Sequence, residues 1–287
     1  MNARTDPLGL VYDLPIDDYH ASPAISNSGL ADFARSPFHF HALHLNPDRP
    51  PRVEKAGQFE GTLAHCAILE PAEFDNRYAV GPNARRGTKV WDAFEEGLPA
   101  GKVSVKRDQA DVARAQALSV RSHPEIGRLL SAGKPEVSAF WIDPATGELC
   151  RCRPDWVHPV GDDAVILLDV KTYSSASPED FALQIGRKGY HRQDAYYSAG
   201  YEAASGKTVL AFIFAAVEST WPFACSAIML DDESIEHGRI ANAALLARYA
   251  ACKAADRWPS YGDSVECVTL PRWLAAAPLP TTEESNA

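Results

Sequence analysis

The sequence predicts an α/β fold, and three stretches carry that reading. Arg151 to Thr172 holds two apolar segments joined through Gly161, Asp162 and Asp163, and these read as neighbouring strands. Lys207 to Val217 is a nearly continuous apolar run, which suits a central strand buried on both faces. Ser177-Pro178-Glu179-Asp180 sets a cap, a proline and an acidic first turn in the order that opens a helix.

Taken in order, residues 1–25 read as irregular, punctuated by Pro7, Pro15 and Pro23. Ser26-Asn27-Ser28 caps a helix carrying Leu30, Phe33 and Ala34; Ser36-Pro37 ends it, and Phe38 to Leu43 begins another. Ser26, Ser28, Arg35 and the histidines that follow suit either a solvated helix face or a pocket for a DNA end. Hydroxyls, helix N–H groups and arginine all bind phosphate. Phe59 to Glu70 reads as an apolar helix closed by Pro71. Its His65 is either a packed, hydrogen-bonded residue or a neutral metal ligand. Residues 77–104 are mixed; Asn83 to Lys89 is a basic loop, solvated or touching phosphate. A helix is expected over 108–131, bent near Pro124.

Glu136 to Asp143 reads as a strand, Pro144 to Gly147 as a turn, and Glu148 to Val157 as the returning strand. Glu136 either approaches an acidic site or lies exposed at the strand start, and exposure is the expectation. Helices are expected from Ser177 to about Ile185 and from Tyr190 to Ala204. In the second, Gln193 and Tyr197 share one face, with Arg192 beside it. The plain reading packs Tyr197 and solvates Gln193. Phe223 to Leu230 reads as a strand and Asp231 to about Ala254 as a long helix. One domain is expected, with a helical part over about 1–131 and a core over about 132–256. An irregular, proline-rich tail over about 257–287 completes it, disordered after about Pro278.

The composition is that of an ordinary soluble protein, with 287 residues, 46% hydrophobic and 23% charged. No apolar run of about 18 residues suggests a membrane span. The start of the chain has no apolar leader core, so a cytoplasmic location is expected. The six cysteines form no Cys-x-x-Cys pair, and no iron–sulfur cluster is expected. A net charge of −10 counts against a general nucleic-acid coat. It leaves room for a DNA enzyme whose basic groups line one groove.

The chemistry concentrates where the two strands meet. Alternation puts Asp169 and Lys171 on one face and Leu168 and Val170 on the other. Arg151, Arg153 and Asp155 share a face of the preceding strand. If those faces pair, Asp155, Asp169 and Lys171 converge. Burying such charges costs several kcal/mol per ion unless partners compensate. The trio suits a hard divalent cation with a nearby water, and the lysine can orient that water or steady phosphate charge.

Pro154-Asp155 followed by Asp169-Val170-Lys171 resembles the PD-(D/E)XK nuclease superfamily. A helix histidine, Pro-Asp, Asp-x-Lys and then Gln-x-x-x-Tyr resemble its RecB-like branch. Ile25 to Leu30, Ser36-Pro37, Gly61 to His65, Leu69-Glu70-Pro71, Arg153-Pro154-Asp155, Asp169-Val170-Lys171 and Gln193 to Tyr197 are together similar to RecE-type exonucleases of phage kind. The resemblance implies a restriction-endonuclease-like core, a central mixed sheet flanked by helices. It implies His65, Asp155 and Asp169 on Mg²⁺ (Mn²⁺ substituting), Lys171 in catalysis, and Gln193 and Tyr197 supporting the site. Glu136 falls where relatives often carry a further acid. Arg153 and Arg192 flank the motifs and are expected to meet DNA. The implied activity is 5′→3′ digestion of linear duplex DNA, leaving 3′ single strands for annealing recombination. The implied partners are DNA ends, a RecT-like annealing protein and further copies in a closed ring, a tetramer before a trimer. An endonuclease or repair nuclease of the same superfamily, or an idle DNA-end-binding protein, is the alternative.

Overall fold

At the centre lies a five-stranded mixed sheet in the order Cys225–Ile228, Thr208–Glu218, Ala164–Tyr173, Trp156–Val160, Lys134–Pro135. Ala164–Tyr173 and Thr208–Glu218 run parallel, and the other neighbours are antiparallel. The computed structural model describes residues 8–51, 57–262 and 264–271. The expectations for residues 1–7 and for the tail after Pro278 fall outside them.

Side-chain alternation assigns the two faces of the sheet to two cores. Val165, Leu167, Phe212, Phe214 and Ala216 join one core, with Tyr196, Tyr201, Leu246 and Tyr249. Those partners come from the helices Tyr190–Ser205 and Asp232–Ala255. Leu168, Val170, Ala215 and Val217 join the other core, with Leu63, Ile68, Val120 and Ile126. These partners lie on Gln58–Leu69, Arg107–Ser122 and Pro124–Leu129. Each fully buried Leu or Phe contributes roughly 1.5–3 kcal/mol, so both flanking layers are firmly held. The expected 108–131 helix is broken at His123 rather than bent, because Pro124 opens a new helix at its first position.

A second sheet has the order Gly9–Val11, Ser138–Ile142, Leu149–Cys152, Ile25–Ser26. It corrects two expectations. Residues 1–25 are not irregular throughout: they supply two edge strands and the helix Ile16–Ala21. Their pairing is with residues more than a hundred positions away, such as Gly9 with Phe140, and local composition does not show it. The strand expected from Glu148 to Val157 is also two strands in two sheets. Leu149–Cys152 belongs to the second sheet and Trp156–Val160 to the central one. Pro154 cannot donate to a ladder, and the chain changes sheets there. The strand expected from Glu136 to Asp143 runs as Ser138–Ile142 in the second sheet, and the preceding Lys134–Pro135 belongs to the central one.

Among the described residues, no helix is long and apolar enough to cross a membrane.

Candidate active site

The site begins where one face of the Ala164–Tyr173 strand changes character. Val165 and Leu167 enter the core; Asp169 and Lys171 continue the same face as charges. Asp169 is 2% exposed. Its Oδ1 accepts a hydrogen bond from Gln193 Nε2 at 2.5 Å. Its Oδ2 is in ion-pair contact with the Lys171 ammonium and otherwise accepts no hydrogen bond. Gln193 is therefore not solvated, as its polarity had suggested; it is buried against the carboxylate it orients. Gly189, at φ 71, makes the left-handed turn that ends the preceding helix and aims Tyr190–Ser205 at the sheet.

Asp155 stands at the crossing between sheets. Its Oδ2 accepts from Val170 N at 2.7 Å and lies 3.4 Å from His65 Nδ1. Its carbonyl accepts from Glu136 N at 3.1 Å. Glu136 has φ 53, an uncommon backbone for a residue with a Cβ, where the chain leaves the central sheet. The expectation of simple exposure at a strand start fails here. The Glu136 side chain keeps 38% exposure but lines the cleft, and His65, Glu136 and Asp155 offer ligand atoms within 4.8 Å of one another. Asp169 lies beside this group rather than inside it, close enough that Asp155 and His65 both act on its charge.

The electrostatics are those of crowded acids. Burial, then the negative charge of Asp155, push Glu136 up from 4.5 to about 8, with Arg153 opposing. Burial pushes Asp169 up from 3.8 to about 6 against the pull of Lys171, and Asp155 adds to the rise. Both folded carboxyls thus hold protons that the unfolded chain has released. Stability contributed by these groups is greatest on the acid side and falls as pH rises from about 4 through about 8. Thermal melts in chelator should show a melting temperature declining across that window. Added Mn²⁺, binding the ionised acids of the folded state, should restore it by an increment that grows with pH. A flat or rising metal-free curve would contradict the upward shift of these two buried carboxyls.

A cleft of about 820 Å³ opens on this group, walled by His65 and Gly61 of one helix, by Leu14 to Ile16, and by Glu136 and Arg153. Arg153 is buried and its donors are committed within the protein. Nε donates to Ser138 Oγ at 2.8 Å, Nη2 to Leu14 O at 2.9 Å, and the guanidinium lies 4.2 Å from the Tyr19 ring centroid. Arg151 covers the same ring at 4.8 Å. The pair clamps the N-terminal segment to the second sheet, a role that the surface reading of Arg153 did not include.

The other expected DNA contacts lie away from the cleft walls. Ser26 caps the Asn27–Arg35 helix by accepting from Gly29 N and pairs with the Ser28 hydroxyl. Arg35 donates to the Tyr261 hydroxyl. Arg192 is half-buried with its guanidinium folded over Gly189. Tyr197 packs its ring edge-on against Phe212.

Together the acids and the imidazole, with the Asp169 carboxylate beside them, fit a hard divalent cation. Carboxylate oxygens and a neutral imidazole are donors for such an ion, and a cation offsets the burial, and the lesser repulsion from Asp155, that push the two carboxyls up.

Residues 26–271 match the family described as a PDDEXK-like domain of unknown function (DUF3799). No match was found among curated proteins. Among solved structures, a protein from Eubacterium rectale described as a "putative exonuclease" superposes with a TM-score of 0.55 at 13% identity, over 94% of this chain and 100% of that one. At that identity the likeness speaks for the fold.

Proposed function

The chain belongs to the PDDEXK-like domain family matched over residues 26–271, and from that premise we propose that it is a divalent-metal-dependent nuclease. We propose more narrowly that it digests linear duplex DNA from the 5′ end and leaves a 3′ single strand. The observation that carries the nuclease reading is the grouping of His65, Glu136 and Asp155, with the Asp169–Lys171 pair beside them, where His65 and Glu136 line an open cleft. His65, Asp155 and Asp169, with Glu136 as a further acid, would hold Mg²⁺, or Mn²⁺ in its place. When bound, the cation supplies Lewis-acid polarisation of the phosphodiester and eases deprotonation of the attacking water.

The chain's own groups do the rest. Gln193 fixes the Asp169 carboxylate through its amide, so one oxygen keeps a set direction. The Val170 amide holds Asp155 Oδ2 in the same way. Lys171 sets a positive charge where charge develops on the phosphate, and in a partly buried site that interaction is stronger than in water. The narrower claim, an exonuclease, is supported by the ordered set of RecE-like motifs.

End-labelled linear, nicked and closed circular DNA, each with Mg²⁺ or with chelator, tests both levels. The expected result is loss of the 5′-labelled end from linear duplex, intact closed circles, and no digestion in chelator. Cut closed circles would replace the exonuclease with an endonuclease. Binding of ends without cutting would leave an idle end-binding protein.

A further inference from the structure

Lys171 has an aromatic neighbour as well as an acidic one. Its Nζ lies 4.8 Å from the centroid of the Tyr190 ring, on the first residue of the helix that also carries Gln193. That ring is held on several sides. Its hydroxyl shares a hydrogen bond of 2.6 Å with the Tyr173 hydroxyl. Its face stacks on Phe214 at 5.6 Å and 29°, and on Phe181 at 6.0 Å and 28°. Tyr173 follows Lys171 by two residues on one strand and so shares its face. The strand thus carries both the lysine and the clasp that fixes the ring beneath it.

A lysine stem has many rotamers, and its ammonium is a point charge without directional preference. With Asp169 as its sole anchor, Nζ would simply follow that carboxylate. A fixed ring face supplies a second, uncharged anchor through the ring quadrupole, and it competes for no metal ligand. We propose that Tyr190, its ring packed on Phe181 and Phe214, is the positioning residue that sets where the Lys171 ammonium sits relative to the scissile phosphate. This rests on the nuclease reading given above. Tyr190 acts through the lysine.

The experiment varies the ring electronically in the full-length chain. Tyr190→Phe keeps the ring face, Tyr190→Leu removes it, and trifluorophenylalanine at position 190 keeps its shape with a weakened quadrupole. Steady-state digestion of linear duplex DNA in Mg²⁺ is read beside calorimetric Mn²⁺ binding and melting temperature. Tyr190→Leu and the fluorinated ring should lower kcat by about tenfold, with KM and the Mn²⁺ affinity unchanged. Tyr190→Phe should stay close to wild type. A structural role alone would track melting temperature and would not separate phenylalanine from its fluorinated form. If Tyr190→Leu fails to fold, the fluorinated pair decides alone. Equal kcat for phenylalanine and trifluorophenylalanine in a chain that digests DNA overturns this inference only. A wild-type chain that cuts neither linear nor circular DNA in Mg²⁺ overturns the nuclease reading and this inference with it.

Discussion

Asp155→Asn and Asp169→Asn should each lower digestion of linear duplex DNA by about 10²–10³-fold while leaving the fold intact. The argument runs through charge rather than shape. Asparagine keeps a side-chain oxygen, so the Val170 amide still has an acceptor at position 155 and Gln193 still has one at 169. What is lost is negative charge at the point where the proposed cation would bind. Stability should change by no more than about 2 kcal/mol, because burial already disfavours the ionised form of Asp169. Nucleotide release and far-ultraviolet circular dichroism check the two halves. Activity within tenfold of wild type in either variant would remove that aspartate from the site.

Arg153→Ala should destabilise the protein by about 3 kcal/mol, among the largest losses available to a single polar substitution. The side chain is 8% exposed and is engaged by the Ser138 hydroxyl, the Leu14 carbonyl and the Tyr19 ring. Truncation leaves Ser138, itself fully buried, without that partner, and frees the N-terminal segment from one half of its clamp. It also removes the charge that opposes the upward shift of Glu136. Urea unfolding should show a lower midpoint at unchanged slope. Arg153→Lys should fall between the two, keeping charge but losing the guanidinium fork and its stacking on Tyr19. A loss below about 1 kcal/mol for the alanine variant would return Arg153 to the cleft surface, where DNA contact was expected of it.

The sequence made some of this legible and hid the rest for definable reasons. The Ala164–Tyr173 strand was legible because period-two alternation and an apolar run are local signals, and the shared face of Asp169 and Lys171 follows from them. The helices opened by Ser177-Pro178 and Asp231 were legible from their caps. The break at Arg153-Pro154-Asp155 was not read. The proline was the available signal, since a central strand does not accommodate it. Glu136 stayed between exposure and the acidic site, with exposure the expectation, because its left-handed backbone, at a residue other than glycine, has no signature in composition. Tyr19 and Arg153 meet across more than a hundred residues, and no local pattern announces that contact. Tyr190 stood three residues before Gln193, a spacing that puts both on one side of a helix, yet an aromatic there reads first as core.

The central claim is that these acids hold a divalent cation, and calorimetric titration of Mn²⁺ into the metal-free chain at pH 8 tests it most directly. The account predicts saturable binding in the wild type, release of protons as Glu136 ionises, and loss of that binding in Asp155→Asn. Binding of equal affinity in wild type and Asp155→Asn, or none in the wild type, would contradict it.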